Sequence, residues 1–188
     1  MKSKLAIIAI VALALGTTLF FWFGPRTYTS QADHFTAKFP GRVEVSQHQV
    51  SVLDPAVTPT ETSYITRQVQ SQKLPDGQLN KAFYVVAVVP FTPISTLAPS
   101  ILLDRVSEAA GKNLFNPGAD LQFSHITRTQ RDGHAYETVT VSDKALPDTA
   151  SVMVTLANQR LYQIECIRLS GPFDHNTCQT LMDSFKVN

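Results

Sequence analysis

The chain is poor in the residues that most often announce chemistry. It has two cysteines, eight glycines and one tryptophan in 188 residues, and 16% of it is charged. So little glycine leaves no loop to cradle a phosphate or dinucleotide. A P-loop, a nucleophile elbow and a zincin helix are equally missing, so no cofactor is expected and no side chain stands out as catalytic. Lysine and arginine number 16 against 15 acids, with no basic block, so the electrostatic footprint of a nucleic-acid binder is absent. There is no acidic tail, internal repeat or low-complexity tract. The lack of any Asn-x-Ser/Thr sequon suits a bacterial envelope protein better than a eukaryotic secreted one.

One long hydrophobic run is present, at residues 5–23, with Lys2 and Lys4 before it and Gly24, Pro25 and Arg26 after it. Nineteen helical residues span about 28 Å, close to the hydrocarbon core of a bilayer. The lysines place the N-terminus in the cytoplasm and the remainder in the periplasm or outside. Phe20, Phe21, Trp22 and Phe23 cluster at the outer end, where aromatic rings favour the membrane boundary. The expectation is a single-pass inner-membrane anchor. The alternative is a cleaved secretory signal. Ala12-Leu13-Ala14 has the small-x-small form, but a cut there leaves an awkward apolar start, and Trp22 spoils a cut near Gly24. No cysteine lies near the end of the run, which excludes a bacterial lipoprotein.

Residues 1–26 thus read as anchor or signal, residues 27–34 as a polar linker, and residues 35–188 as one extracytoplasmic domain. Without Lys2 and Lys4 the formal charge of +1 becomes −1. Strands are predicted at residues 35–40, 43–52 and 62–69. Residues 82–89 are apolar at every position, the mark of a strand buried on both faces. Helical spacing of Leu102, Val106, Ala109 and Ala110 predicts a helix over 100–114, weakened near Gly111. Period two then returns, with Leu121, Phe123 and His125 on one face. The turn Arg131-Asp132-Gly133 leads into 134–142, and strands follow at 151–156 and 161–169. Cys178, Leu181, Met182 and Phe185 form one face of a last helix over 174–187. Four strands, a helix, four strands and a helix make an α+β domain around a mostly antiparallel sheet.

Cys166 shares a strand face with Tyr162 and Ile164, and Cys178 lies in the apolar stripe of the last helix. Both point into one helix–sheet interface, and an oxidising compartment favours a disulfide between them. Two free buried thiols are the alternative. A zinc site recruiting His175 lacks a fourth ligand at any usual spacing, so no metal is expected.

The histidines are His34, His48, His125, His134 and His175. His34 and His175 read as solvent-facing. His125, Asp132 and His134 flank one hairpin and form the only candidate acid–base or metal group; two half-exposed strand histidines are the plainer account. Asp104 and Glu108 read as the solvated face of the first helix.

The motif Phe35-Thr36-Ala37-Lys38-Phe39-Pro40, the later Gln159-Arg160-Leu161-Tyr162 and the closing Ser184-Phe185 resemble the PsbP-like superfamily over residues 35–187. The resemblance implies an antiparallel sheet sandwiched between helices, no shared catalytic residues, and action as a binding or assembly factor. The cysteine pair and the anchor depart from the usual pattern, so no photosynthetic role is implied. The function expected is a membrane-tethered periplasmic module that binds a protein partner of the cell envelope. Two alternatives are a hydrolase or metal-assisted enzyme at His125, Asp132 and His134, and a small-ligand carrier with a pocket beneath Leu102 and Val106.

Overall fold

A computed structural model describes residues 24–49, 60–73, 79–90, 99–113, 120–143 and 146–188. The expected membrane-spanning run lies outside these residues, as do residues 50–59 between the second and third expected strands.

Two sheets organise the domain. The small one holds β1 (Arg26–Ser30), β2 (Phe35–Phe39) and β10 (Lys186–Val187), in the order β1-β2-β10. The large one holds β3 (Glu44–Gln49), β4 (Thr60–Lys73), β5 (Leu79–Pro90), β6 (Leu121–Arg131), β7 (His134–Asp143), β8 (Leu146–Ala157) and β9 (Arg160–Ser170). Its order is β3-β4-β5-β9-β8-β7-β6, and every neighbouring pair is antiparallel. Helix α1 (Pro99–Asn113) covers β7 and β8 on one face; α2 (His175–Ser184) packs on the other, against β2 and β9. The α+β class and the mostly antiparallel sheet are as the sequence indicated.

Alternation divides the core. Tyr84, Val86 and Val88 of β5 join Tyr162, Ile164 and Cys166 of β9 in a cluster beneath α2 and the small sheet. Val89, Leu161, Val152 and Val154 point the other way, to Leu103, Val106 and Ala110 of α1. β5 is therefore buried on both faces, as its unbroken apolar run requires. Gly111 lets α1 approach the sheet. A Cβ there would lie 2.8 Å from Phe123 Cε1 and 2.8 Å from Val141 Cγ2, so this glycine serves packing, and the helix continues past it. Of the expected α1 stripe, the side chain of Leu102 lies outside the described residues, and Leu103 is buried in the core.

The structure corrects three boundaries. Residues 27–34 are not a linker. Arg26–Ser30 forms β1, registered against β2 from Arg26↔Phe39 to Ser30↔Phe35. Tyr28 packs edge-on to Phe39 at 6.1 Å, an apolar contact that the polar neighbours of Tyr28 mask in the sequence. The following turn is held down by Tyr64, whose hydroxyl donates to Asp33 Oδ2 at 2.6 Å, and by Tyr162, whose hydroxyl donates to Asp33 O at 2.9 Å. Burial pushes the Tyr64 hydroxyl pKa up to about 12. Second, the last helix stops at Ser184. Phe185 turns extended (φ −67°, ψ 129°) and sinks among Phe35, Tyr136 and Tyr162, and the chain then pairs as β10. Third, the expected order of four strands, helix, four strands, helix becomes five strands, α1, four strands, α2 and β10.

Cys166 and Cys178 are both buried and disulfide-bonded, with Cα atoms 5.7 Å apart. Cys166→Ala should cost about 3 kcal/mol for a loop of this size. Urea unfolding of wild type and variant checks the cost, and a linked peptide pair in a non-reduced digest checks the bond. Two freely alkylated thiols would refute it.

A candidate binding cleft beside the bulged edge strand

The hairpin trio is not brought together by the fold. Asp132 (φ 52°) and Gly133 (φ 79°) make the two-residue turn that Asp-Gly favours. His134 pairs with Arg131 beside that turn. His125 lies six residues back along β6, about 20 Å at strand rise. His134 is thus at the turn and His125 mid-strand, and no group of three or more metal-ligating side chains occurs among the described residues.

A bulge sends His125 elsewhere. Ser124 pairs with Thr140 and Thr127 with Thr138, so His125 and Ile126 stand opposite Val139 alone. His125 takes φ 50°, the left-handed conformation often found where a bulge re-aims a side chain. The extra residue reverses the phase of the strand. Phe123, before it, packs against the α1 core; Thr127, after it, lies on the α2 face. The expected sharing of one face by Phe123 and His125 therefore fails.

On the α2 face His125 enters a cleft of about 240 Å³ between the β6–β7–β8 end of the sheet and α2. Its strand side is Thr127, Thr138, Thr140, Ala150 and Ser151; its helix side is His175, Cys178, Gln179 and Met182, with Phe173 just before the helix. The start of α2 is fixed by Asp174, whose Oδ1 accepts from Thr177 N–H at 3.0 Å and whose Oδ2 accepts from Thr177 Oγ1 at 2.7 Å. That cap sets His175 as the first residue of the helix, where its ring meets Phe173 edge-on at 4.8 Å. The floor is the disulfide and Met182; the walls are hydroxyls and two imidazoles, and no carboxylate lines it. Such a cleft offers hydrogen-bond donors around an apolar base, a means of holding a group in place.

Of the other histidines, His34 is exposed in the β1–β2 turn, and His48 pairs with Glu61 at 3.1 Å. Asp104 is not simply solvated: Arg128 donates to it and to buried Glu137 (Nε to Oε2, 2.9 Å), and Ser107 of α1 also donates to Glu137. Glu165 of β9 is buried too. Burial, with Glu61 as a lesser cause, pushes its carboxyl pKa up to about 8.

His175 as a cleft residue escapes sequence reasoning because its partner His125 lies fifty positions away across a bulge. A signal for the bulge does exist. Leu121 and Phe123 set one apolar phase, and Ile126 falls on the other.

No protein-family model matches the chain, and no curated protein sequence matches it. Its backbone is similar to the solution structure of cyanobacterial PsbP (CyanoP) from Synechocystis sp. PCC 6803, at 13% sequence identity and a TM-score of 0.45, over 88% of this chain and 94% of that one. The likeness is one of fold.

Proposed function

We propose that the chain is a membrane-tethered binding or assembly module of the bacterial cell envelope, and that it recognises a protein partner through the cleft beside β6. The observation that carries this is the bulge. It holds a histidine at φ 50° so that the ring joins hydroxyls of three strands and a second histidine from α2. Left-handed backbone at a non-glycine residue costs about 1–3 kcal/mol and tends to persist where function uses it. The apolar run behind Lys2 and Lys4 supports the tether, and the Cys166–Cys178 disulfide suits an oxidising compartment. The binding reading is preferred to the enzyme alternative because His125 sits mid-strand at the bulge, six residues from the turn that carries Asp132 and His134.

A photo-crosslinking side chain placed at Thr127 or Gln179 in intact cells should give a discrete membrane-fraction adduct. One placed at exposed Lys81, outside the cleft, should not. Equal labelling from all three positions, or an adduct from Lys81 alone, defeats the cleft as the recognition site. A soluble, shortened mature chain after fractionation defeats the tether.

A further inference from the structure

We infer that the cleft takes an acidic side chain of an extended peptide segment, an inference that rests on the binding role above and adds the chemistry of its occupant. Three observations converge. The first is the polarity of the lining. His125 and His175 are its titratable groups, Thr138 and Thr140 add hydroxyls, and no carboxylate faces in. The nearest acids of α2 are engaged: Asp174 holds Thr177, and Asp183 accepts from Gln179 Nε2 at 2.8 Å. A set of donors without a carboxylate is complementary to an anion and repels no acid that enters.

The second is size. About 240 Å³ falls below the roughly 300–1,000 Å³ of small-molecule sites, and fits one or two side chains of a larger partner. The third is the neighbourhood. Among the described residues β6 ends the sheet order and lines the cleft, and Ile126 beside His125 is 58% exposed. A segment laid along such an edge alternates its side chains between the two faces of the sheet, one set reaching the cleft. The bulge at 125–126 brings His125 to the level at which such a segment passes the cleft. Phe173, Cys178 and Met182 give the cleft an apolar side against which the methylenes of an entering acidic side chain can rest.

The test uses the full chain in nanodiscs, with its five histidines labelled at the ring carbon, and three peptides: acetyl-Val-Glu-Phe-Glu-Val-amide, its Gln version and its Lys version. The acidic peptide should shift the His125 and His175 resonances saturably and leave those of His34, His48 and His134 in place. The Gln peptide should bind about tenfold more weakly or worse, the cost of a lost charge-assisted hydrogen bond. Each of His125→Gln and His175→Gln should weaken the acidic peptide by about tenfold as well. The unmoved resonances of the other histidines report that each variant remains folded.

Three results would overturn the inference: no shift of either resonance, equal binding of all three peptides, or benzoate binding as tightly as the acidic peptide, which would make the occupant a small acid. If cleft-positioned crosslinks form in cells while the peptides fail, the binding role stands and the acidic occupant falls. If the peptide binds while crosslinks are absent, the reverse holds.

Discussion

Glu165→Gln should leave stability almost unchanged at pH 4 and raise it by about 5 kcal/mol at pH 9 relative to wild type. In the folded domain Glu165 is buried, 9% exposed, between Val85 and Val152 in the cross-strand register. Burial, and then the charge of Glu61, lift its pKa from 4.5 to about 8. Unfolded, the same carboxyl ionises near its ordinary value. Between those two pH values the folded chain therefore holds a proton that the unfolded chain has released. Folded-state stability falls as pH rises through that window and levels off above it. At about 1.4 kcal/mol per pH unit, the whole span gives the figure of about 5 kcal/mol. Glutamine keeps the shape of the neutral acid and removes the titration. Urea melts of wild type and variant at pH 4, 6.5 and 9 should diverge steadily, and stability curves that stay parallel across that range would show that Glu165 is solvated or paired in the folded domain.

That glutamate also shows what the sequence discloses. Alternation alone puts Glu165 on the face of Leu161 and Glu137 on the face of Val139 and Val141, so that both acids face the core was readable. What each of them meets there was not, because the partners come from distant positions: Glu61 on β4, Arg128 on β6 and Ser107 on α1. The features that read well are local or strongly periodic. They include the unbroken apolar run of β5, the Asp132–Gly133 turn, and the strand and helix faces that bring Cys166 to Cys178. The features that read poorly depend on tertiary packing. β1 is polar in composition, and only the burial of Tyr28 and the clasp on Asp33 make it part of the domain. The bulge adds one residue to one strand, and a single phase error moved His125 to the wrong face and hid its meeting with His175.

The last expected result lies just beyond that bulge: Arg128→Ala should destabilise the domain measurably, because it leaves a buried carboxylate without its cation. After the extra residue Arg128 faces α1 and lies directly across from Glu137 in the ladder. Glu137 is 1% exposed, and its donors are Arg128 Nε at 2.9 Å and the hydroxyl of Ser107. Arg128 also reaches Asp104, so one guanidinium ties β6 and β7 to α1. Deleting it strands a buried carboxylate with a single neutral donor. Solvent around the half-exposed Arg128 and the remaining Ser107 donor both moderate the loss. Arg128→Ala combined with Glu137→Leu should recover most of the loss, since the buried charge leaves with its partner. Urea melts of Arg128→Ala that overlay those of wild type would mark the contact as an ordinary surface pair. Removing Ile126 from the bulge would restore regular alternation: Thr127 and Arg128 keep their partners Thr138 and Glu137, while His125, left alone opposite Val139, turns to the α1 face and out of the cleft. The extra residue in β6 therefore sets the aim of the cleft histidine, and the Arg128–Glu137 contact beyond it should survive its removal.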